Sequence, residues 1–422
     1  MSLYHKLKSR LNIDADYKVL LSNFSYLTIL QIVGYVFPLI TLPYLSKIIG
    51  TNGFGKIAFA SAIITWIQTI ADWGFNYTAT RDVAQNRDNK SKVSEILSNV
   101  LWARTLLAIG GLGILLLLIF FIPSFKDNSL IILLTFLMIP GHILFPDWFF
   151  QAIEKMRYIV IFNIVIKLLF TILVFVFIKS EDDYIYQPLF TSFGYIVCGI
   201  ISMYIILVKF GYKLYRPQIN TIFQTIKHSS DVFINNLAPN LYNSFSVILL
   251  SSTCGSVASG IYDGGNKIIS IAHQFILVIS RTFFPFLSRR QDKHSIFVKI
   301  NLIIGLVCSI LLFWGAPYII NILLSPEFVD SIIVSRILAI SMFFMVLSNT
   351  YGTNYLIIIH KDRELRNITI VCSLLGLLLS YPLVKLYSFI GAALVVFISR
   401  CLLGICIYRY AQKCKRNRPK GS

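Results

Sequence analysis

"IAFASAIITWIQTIADWGFNYTATRDVAQNRD", residues 57–88, is the stretch on which the fold turns. Residues 57–70 carry no charge and open an apolar run, 57–79, of the ~20-residue length that crosses a hydrocarbon layer about 30 Å thick. Asp72 stands two residues past Ile70, and Arg81, Asp82, Arg87 and Asp88 follow. An ordinary loop accounts for the last four. Asp72 is different: a carboxylate at the end of an apolar span needs a partner or an aqueous site.

The same pattern recurs through all 422 residues, of which 56% are hydrophobic and only 14% charged, against roughly a quarter charged in soluble domains. Apolar runs of spanning length fall near 22–46, 57–79, 99–122, 130–151, 158–178, 185–208, 231–254, 265–287, 296–324, 331–359, 364–387 and 388–408. The chain therefore reads as an all-α polytopic membrane protein with twelve transmembrane helices. Residues 1–208 hold spans 1–6, 209–230 form a linker, and 231–422 hold spans 7–12 with a basic tail. No stretch between spans is long enough for a separate soluble domain. The start, "MSLYHKLKSRLNIDADYK", is polar and lacks a cleavage pattern, so no cleaved signal peptide is expected.

A net charge of +19 raises the possibility of nucleic-acid binding, but its distribution argues against that. Of the 38 Lys and Arg, 27 fall in the N-terminus, every second loop and the C-terminus. The alternate loops hold only Lys47, Lys56, Lys126, Lys179 and Lys385. By the positive-inside rule this split puts both termini in the cytoplasm. The basic excess is a topology signal, helped by anionic lipid.

The linker "KFGYKLYRPQINTIFQTIKHSS" places Ile219, Ile222, Phe223 and Ile226 at helical spacing, as in a short interfacial amphipathic helix. The two parts of the chain also show a weak repeat. "LSKIIGTNGFGKI" (45–57) and "LSSTCGSVASGIY" (250–262) match at Leu45/Leu250, Ser46/Ser251, Gly50/Gly255 and Gly55/Gly260, as a parallel repeat in a transporter would. A glycine-bearing turn between two spans is the plainer explanation.

Ionisable residues inside spans carry the functional signal, because each costs about 2.5–3.5 kcal/mol on insertion scales. The basic set is Arg104, Lys167, Lys267, Arg281, Arg336 and Arg400; the acidic set is Asp72, Asp147, Asp231 and Asp263. Snorkelling relieves those near span ends, and with fewer acids than bases, pairing cannot neutralise the rest. A positively charged, hydrated interior follows, with these six bases as candidates for a cationic cleft. Lys267, Gln274 and Arg281 repeat every seven residues with Ser270 on the same side, forming a polar stripe. Asn236, Asn240 and Asn243 form another around Pro239, suited either to sugar hydroxyls or to hydrogen bonds between helices. His142 and His273 fit hydrogen-bonding roles better than a proton relay. Asp72, Arg81 and Asp147 are candidates for gating or coupling, or for a structural ion pair that fixes the ends of spans 2 and 3.

Enzyme chemistry finds little here. Glu181-Asp182-Asp183 could hold a metal for a membrane-bound glycosyltransferase or polymerase, but a solvated turn explains it better. No hydrolase, zinc-protease or P-loop motif is present. The seven cysteines form no C-x-x-C pair and read as packing residues. No metal and no cofactor are expected.

"LPYLSKIIGTNGFGKIAFASAI" (42–63), "IADWGFNYTATRDVAQNRD" (70–88), "FPDWFFQAIEKMRY" (145–158) and the ending "SFIGAALVVFIS" (388–399) resemble the polysaccharide and O-antigen repeat-unit flippases of the multidrug/oligosaccharidyl-lipid/polysaccharide exporter superfamily. Ala152 stands where a glycine is common in that family, and Arg400 where an acid is frequent. The resemblance implies two six-helix halves around a central cleft in the bacterial inner membrane. It implies transfer of an undecaprenyl-pyrophosphate-linked oligosaccharide to the periplasmic leaflet by alternating access, coupled to a proton or sodium gradient. Membrane lipid, and the polymerase and chain-length proteins of the same pathway, are the implied partners, with no nucleic acid. A cation-coupled multidrug exporter is the nearest alternative, disfavoured by the basic interior. A peptidoglycan-precursor flippase usually carries additional spans.

Overall fold

The computed structural model describes residues 2–289, 294–359 and 361–416; over 2–28 and at several later positions, Asp231 and Arg281 among them, it gives the backbone alone. The helices are α1 (Ser2–Asp72), α2 (Phe75–Gln85), α3 (Lys90–Phe121), α4 (Pro123–Asp127), α5 (Ser129–Phe136), α6 (Met138–Leu144), α7 (Asp147–Ala152), α8 (Met156–Phe177), α9 (Tyr186–Tyr204), α10 (Ile219–Leu237), α11 (Ser244–Arg289), α12 (His294–Leu323), α13 (Ser331–Ser348) and α14 (Asp362–Arg416). No strand occurs among the described residues. In them, 9 helical stretches are long and apolar enough to cross a membrane.

Three of those stretches are broken. α1 turns at Gly50 (φ 57°, ψ −171°), α11 at Gly255 (φ 87°, ψ 173°) and α14 at Ser388 (φ 50°, ψ −127°). Glycine takes a positive φ at little cost, so Gly50 and Gly255 let the helix turn at a single residue. Gly50 and Gly255 are also one of the four matched pairs of the weak repeat, which therefore marks equivalent corners.

The Asp72 stretch is resolved by a left-handed turn. α1 ends at Asp72, Trp73 (φ 41°) and Gly74 (φ 81°) interrupt the helix, and α2 begins at Phe75. A Cβ on Gly74 would come within 2.8 Å of the Val232 side chain, so the turn also needs glycine for close packing against α10.

Two expected spans are less regular than the sequence pattern suggests. Residues 130–151 form α5, α6 and α7 in succession, interrupted at Leu137 and at Phe145–Pro146. The 231–254 span is split: α10 runs from Ile219 to Leu237 without a boundary at 231, then Ala238–Leu241 form a 3₁₀ turn carrying Pro239. Proline removes a helical donor there. In α10, Ile222 is buried, whereas Ile219 and Phe223 are exposed.

One core gathers Phe59, Phe75, Leu97, Trp148, Phe149 and Phe150 from α1–α7; a second gathers Tyr242, Tyr262, Val334, Leu338 and Val395 from the later helices. α1 and α11 join them where two glycines cross. A Cβ on Gly55 would lie 1.7 Å from the Ser256 carbonyl oxygen, and one on Gly260 would lie 1.9 Å from that of Thr51. The two contacts are reciprocal, since Thr51/Ser256 and Gly55/Gly260 share the same 205-residue offset. The Ser256 hydroxyl also donates to Asn52 Oδ1 across the crossing. Backbones this close exclude both side chains and water.

Candidate functional site

Beside this crossing, a cavity of about 380 Å³ lies between α1, α8, α9 and α11. Its scale is that of sites that take small ligands or headgroups, roughly 300–1,000 Å³. Lys167 enters from α8, and Lys267, Ser270 and Gln274 enter from α11. The sequence reading did not single out Asn163, Gln187, Thr191 and Tyr195, which add polar groups from α8 and α9. Their spacing carried the signal: Asn163 and Lys167 are four apart, as are Gln187, Thr191 and Tyr195 in turn, so each set shares a helix face. Apolar walls come from Phe37, Leu42, Phe54 and Phe170.

The two ammonium groups differ. Lys167 has no hydrogen bond or ion pair among the described residues, and a Cβ added at Gly34 of α1 would lie 3.6 Å from its Nζ. Lys267 is held: Nζ lies 2.6 Å from Asp263 Oδ2 and 4.3 Å from the centre of the Phe54 ring. Both cations are set in largely apolar walls, where charge interactions exceed those in bulk water. Groups like these attract an anion, and the neighbouring amides and hydroxyls offer hydrogen bonds to it.

Three of the other expected cleft bases, Arg104, Arg336 and Arg400, do not line this cavity. Arg104 is 1% exposed, pairs with Asp72 and lies 2.9 Å from His142 Nδ1, tying α1, α3 and α6 together. Asp72, at the end of α1, thus has a cationic partner in Arg104. Arg336 lies over the Phe313 ring and donates from Nε to the Phe313 carbonyl at 3.4 Å. Arg400 donates from Nη1 to Ser341 Oγ at 2.9 Å, inside the later core. The Arg281 side chain lies outside the described residues.

The Asn stripe is spent on structure or exposed. Asn240 donates to Thr69 Oγ1 at 2.9 Å, Asn243 to the Pro239 carbonyl at 3.1 Å, and Asn236 is exposed. Arg81 is exposed and sits 3.3 Å from both Asp82 Oδ1 and His228 Nε2. Asp147 accepts from the Trp148 backbone N–H at 2.8 Å. The Glu181–Ile185 turn is closed by a Ser180/Asp183 capping box, a local structural use of these acids. Among the described residues, no three His, Cys, Asp or Glu side chains group as metal ligands would.

The described residues set a close helix crossing beside a basic cavity in an all-helical fold, and solved structures share that fold. The lipid II flippase MurJ in an inward closed conformation aligns with a TM-score of 0.70 over 94% of this chain and 88% of that one, at 14% identity. An outward-facing multidrug resistance MATE family transporter of the MOP superfamily aligns at 0.56 over 94% and 97%, at 12% identity. The chain belongs to the polysaccharide biosynthesis protein family, whose pattern matches residues 20–291. It is 28% identical over 389 residues to the "Putative O-antigen transporter" of Escherichia coli (strain K12), covering 90% of this chain and 94% of that one. It is 27% identical over 382 residues to the protein of the same name from Shigella dysenteriae, covering 88% and 94%.

Proposed function

We propose that the protein is a flippase that moves undecaprenyl-pyrophosphate-linked oligosaccharide repeat units, of O-antigen or capsule type, from the cytoplasmic to the periplasmic leaflet of the bacterial inner membrane. The observation that carries this reading is the cavity between α1 and α11, with Lys167, unpartnered among the described residues, and the acid-held Lys267. A pyrophosphate suits two ammonium groups, and sugars suit the amides and hydroxyls beside them. The polyprenyl tail stays in the bilayer.

Dividing the three broken stretches at Gly50, Gly255 and Ser388 turns nine candidates into twelve spans. With basic loops inside, both termini are cytoplasmic and the Gly55–Gly260 crossing is periplasmic. The described state is then closed to the periplasm. Alternating access opens that crossing and closes the opposite end, driven by a proton or sodium gradient. Hand-off to the polymerase and chain-length proteins of the pathway follows in the periplasm. A drug-exporting role for cations is disfavoured, because both cationic side chains in the wall would repel such a substrate.

Complementation tests the proposal. In cells lacking their repeat-unit flippase, the wild-type chain restores periplasmic arrival of the lipid-linked glycan. Lys167→Ala and Lys267→Ala at matched membrane levels do not. If both neutralised variants restore arrival as fully as wild type, the cationic-cavity assignment is wrong. If the wild-type chain leaves every tested glycan inside, the flippase reading fails.

A further inference from the structure

The cavity's second cation is already occupied. Lys267 and Asp263 are one helical turn apart on α11, Nζ to Oδ2 2.6 Å, and Asp263 lies on the side toward Gly260 and the sealed crossing. The same ammonium rests on the Phe54 ring, and Phe54 is the residue next to Gly55. Phe54 in turn packs edge-on against Phe328 at 5.2 Å. Adjacent Glu327 accepts the Thr51 backbone N–H at 3.1 Å, beside the Gly50 corner. Contacts therefore run without a gap from the Lys267 ammonium to the closure.

We propose that Asp263 is a resident competing anion: it holds Lys267 against the closed crossing, and an anionic headgroup in the cavity must take Lys267 from it. This rests on the reading of the cavity as an anion site and adds a specificity device to it. Lys167 supplies unconditional attraction. Lys267 supplies attraction only to a ligand that outcompetes a carboxylate at hydrogen-bond distance, which a doubly charged pyrophosphate does and a neutral glycolipid does not. Drawing Lys267 away also takes the cation off Phe54, so occupancy is felt at the Gly55–Gly260 contact. Asp263 acts through Lys267 and is a positioning residue.

The competition predicts a gain of affinity, which a merely structural carboxylate would not give on removal. Full-length protein in nanodiscs is titrated with geranylgeranyl pyrophosphate, with geranylgeraniol as the uncharged control. Asp263→Asn binds the pyrophosphate about two- to fivefold tighter than wild type, the range expected for releasing one partly exposed ion pair. Asp263→Glu restores the wild-type affinity. In a Lys267→Met background, adding Asp263→Asn changes nothing, because the competitor has lost its target. An unchanged or weaker affinity for Asp263→Asn overturns the proposal. An equal gain with and without Lys267 also overturns it, since that would be the general field of a removed charge. Wild type that binds no better to the pyrophosphate than to the alcohol refutes the anion cavity itself, a different result from wild type that binds and is indifferent to Asp263.

Discussion

Placing a methyl group at the glycine crossing should force the closed end open. In Gly55→Ala the new Cβ starts 1.7 Å from the Ser256 carbonyl oxygen, and ordinary contact begins at 3.4 Å, so α1 and α11 must part by about 1.7 Å there. The obstacle is backbone, which cannot rotate aside as a side chain could. Parting also stretches the Ser256–Asn52 hydrogen bond. Overpacking of this kind costs about 1–3 kcal/mol, and if it falls on the closed state alone it shifts the conformational balance roughly 5- to 150-fold. The assay is labelling of a Gln274→Cys cavity reporter by a membrane-impermeant maleimide added to spheroplasts. Gly55→Ala should label faster than the parent and transport more slowly. Gly260→Ala should behave alike, because its Cβ would stand 1.9 Å from the Thr51 carbonyl. Gly113→Ala, with nothing within 4 Å, is the control. Cys198, fully buried, reports unfolding and should stay unlabelled throughout. If Gly55→Ala labels and transports like Gly113→Ala, the crossing is not the periplasmic closure.

Asp72→Asn should destabilise detergent-purified protein by about 3–5 kcal/mol, since it leaves the buried Arg104 charge without its partner, and Arg104→Leu should cost less, since Asp72 is only half-buried. The Arg104→Leu/Asp72→Leu double variant should recover part of that loss in a thermal melt, and singles that melt like wild type would refute a structural pair. Arg400→Met, outside the cavity lining, should retain glycan transfer at matched levels, and its failure to do so would bring Arg400 back into the path. Trp73 stacks on Phe233 at 3.8 Å and donates to the Ile226 carbonyl at 3.0 Å. Trp73→Ala should therefore loosen α10, at a cost of about 3–5 kcal/mol for a well-packed tryptophan, and limited proteolysis within 209–230 should quicken; unchanged cleavage would show that other contacts hold the linker.

Much of the fold was legible because membrane insertion is read from hydropathy, and the spacing of apolar runs needs no tertiary knowledge. The corners were legible in part. Polar residues flank Gly50 and Gly255 and end the apolar runs near 46 and 254, but hydropathy does not say that helix continues up to a single glycine on either side, and only the weak repeat hinted that the two corners correspond. The cavity shows the limit more sharply. Lys167, Arg104, Arg336 and Arg400 look equivalent in sequence, each a base within an apolar run. Periodicity tells which face of its own helix a residue occupies, but not which helix stands opposite. Arg104 meets Asp72 and His142, and the desolvated guanidinium becomes a tie between helices. Lys167 meets no acid among the described residues and remains available. Among intramembrane bases, then, the presence of charge marks candidates, and the absence of a counter-ion selects between them. Lys267 is the intermediate case: its counter-ion is one turn away on its own helix, a spacing visible in the sequence. What the sequence could not supply is that the Phe54 ring of α1 lies under the same ammonium, which turns a local i,i+4 pair into a contact across the two cores.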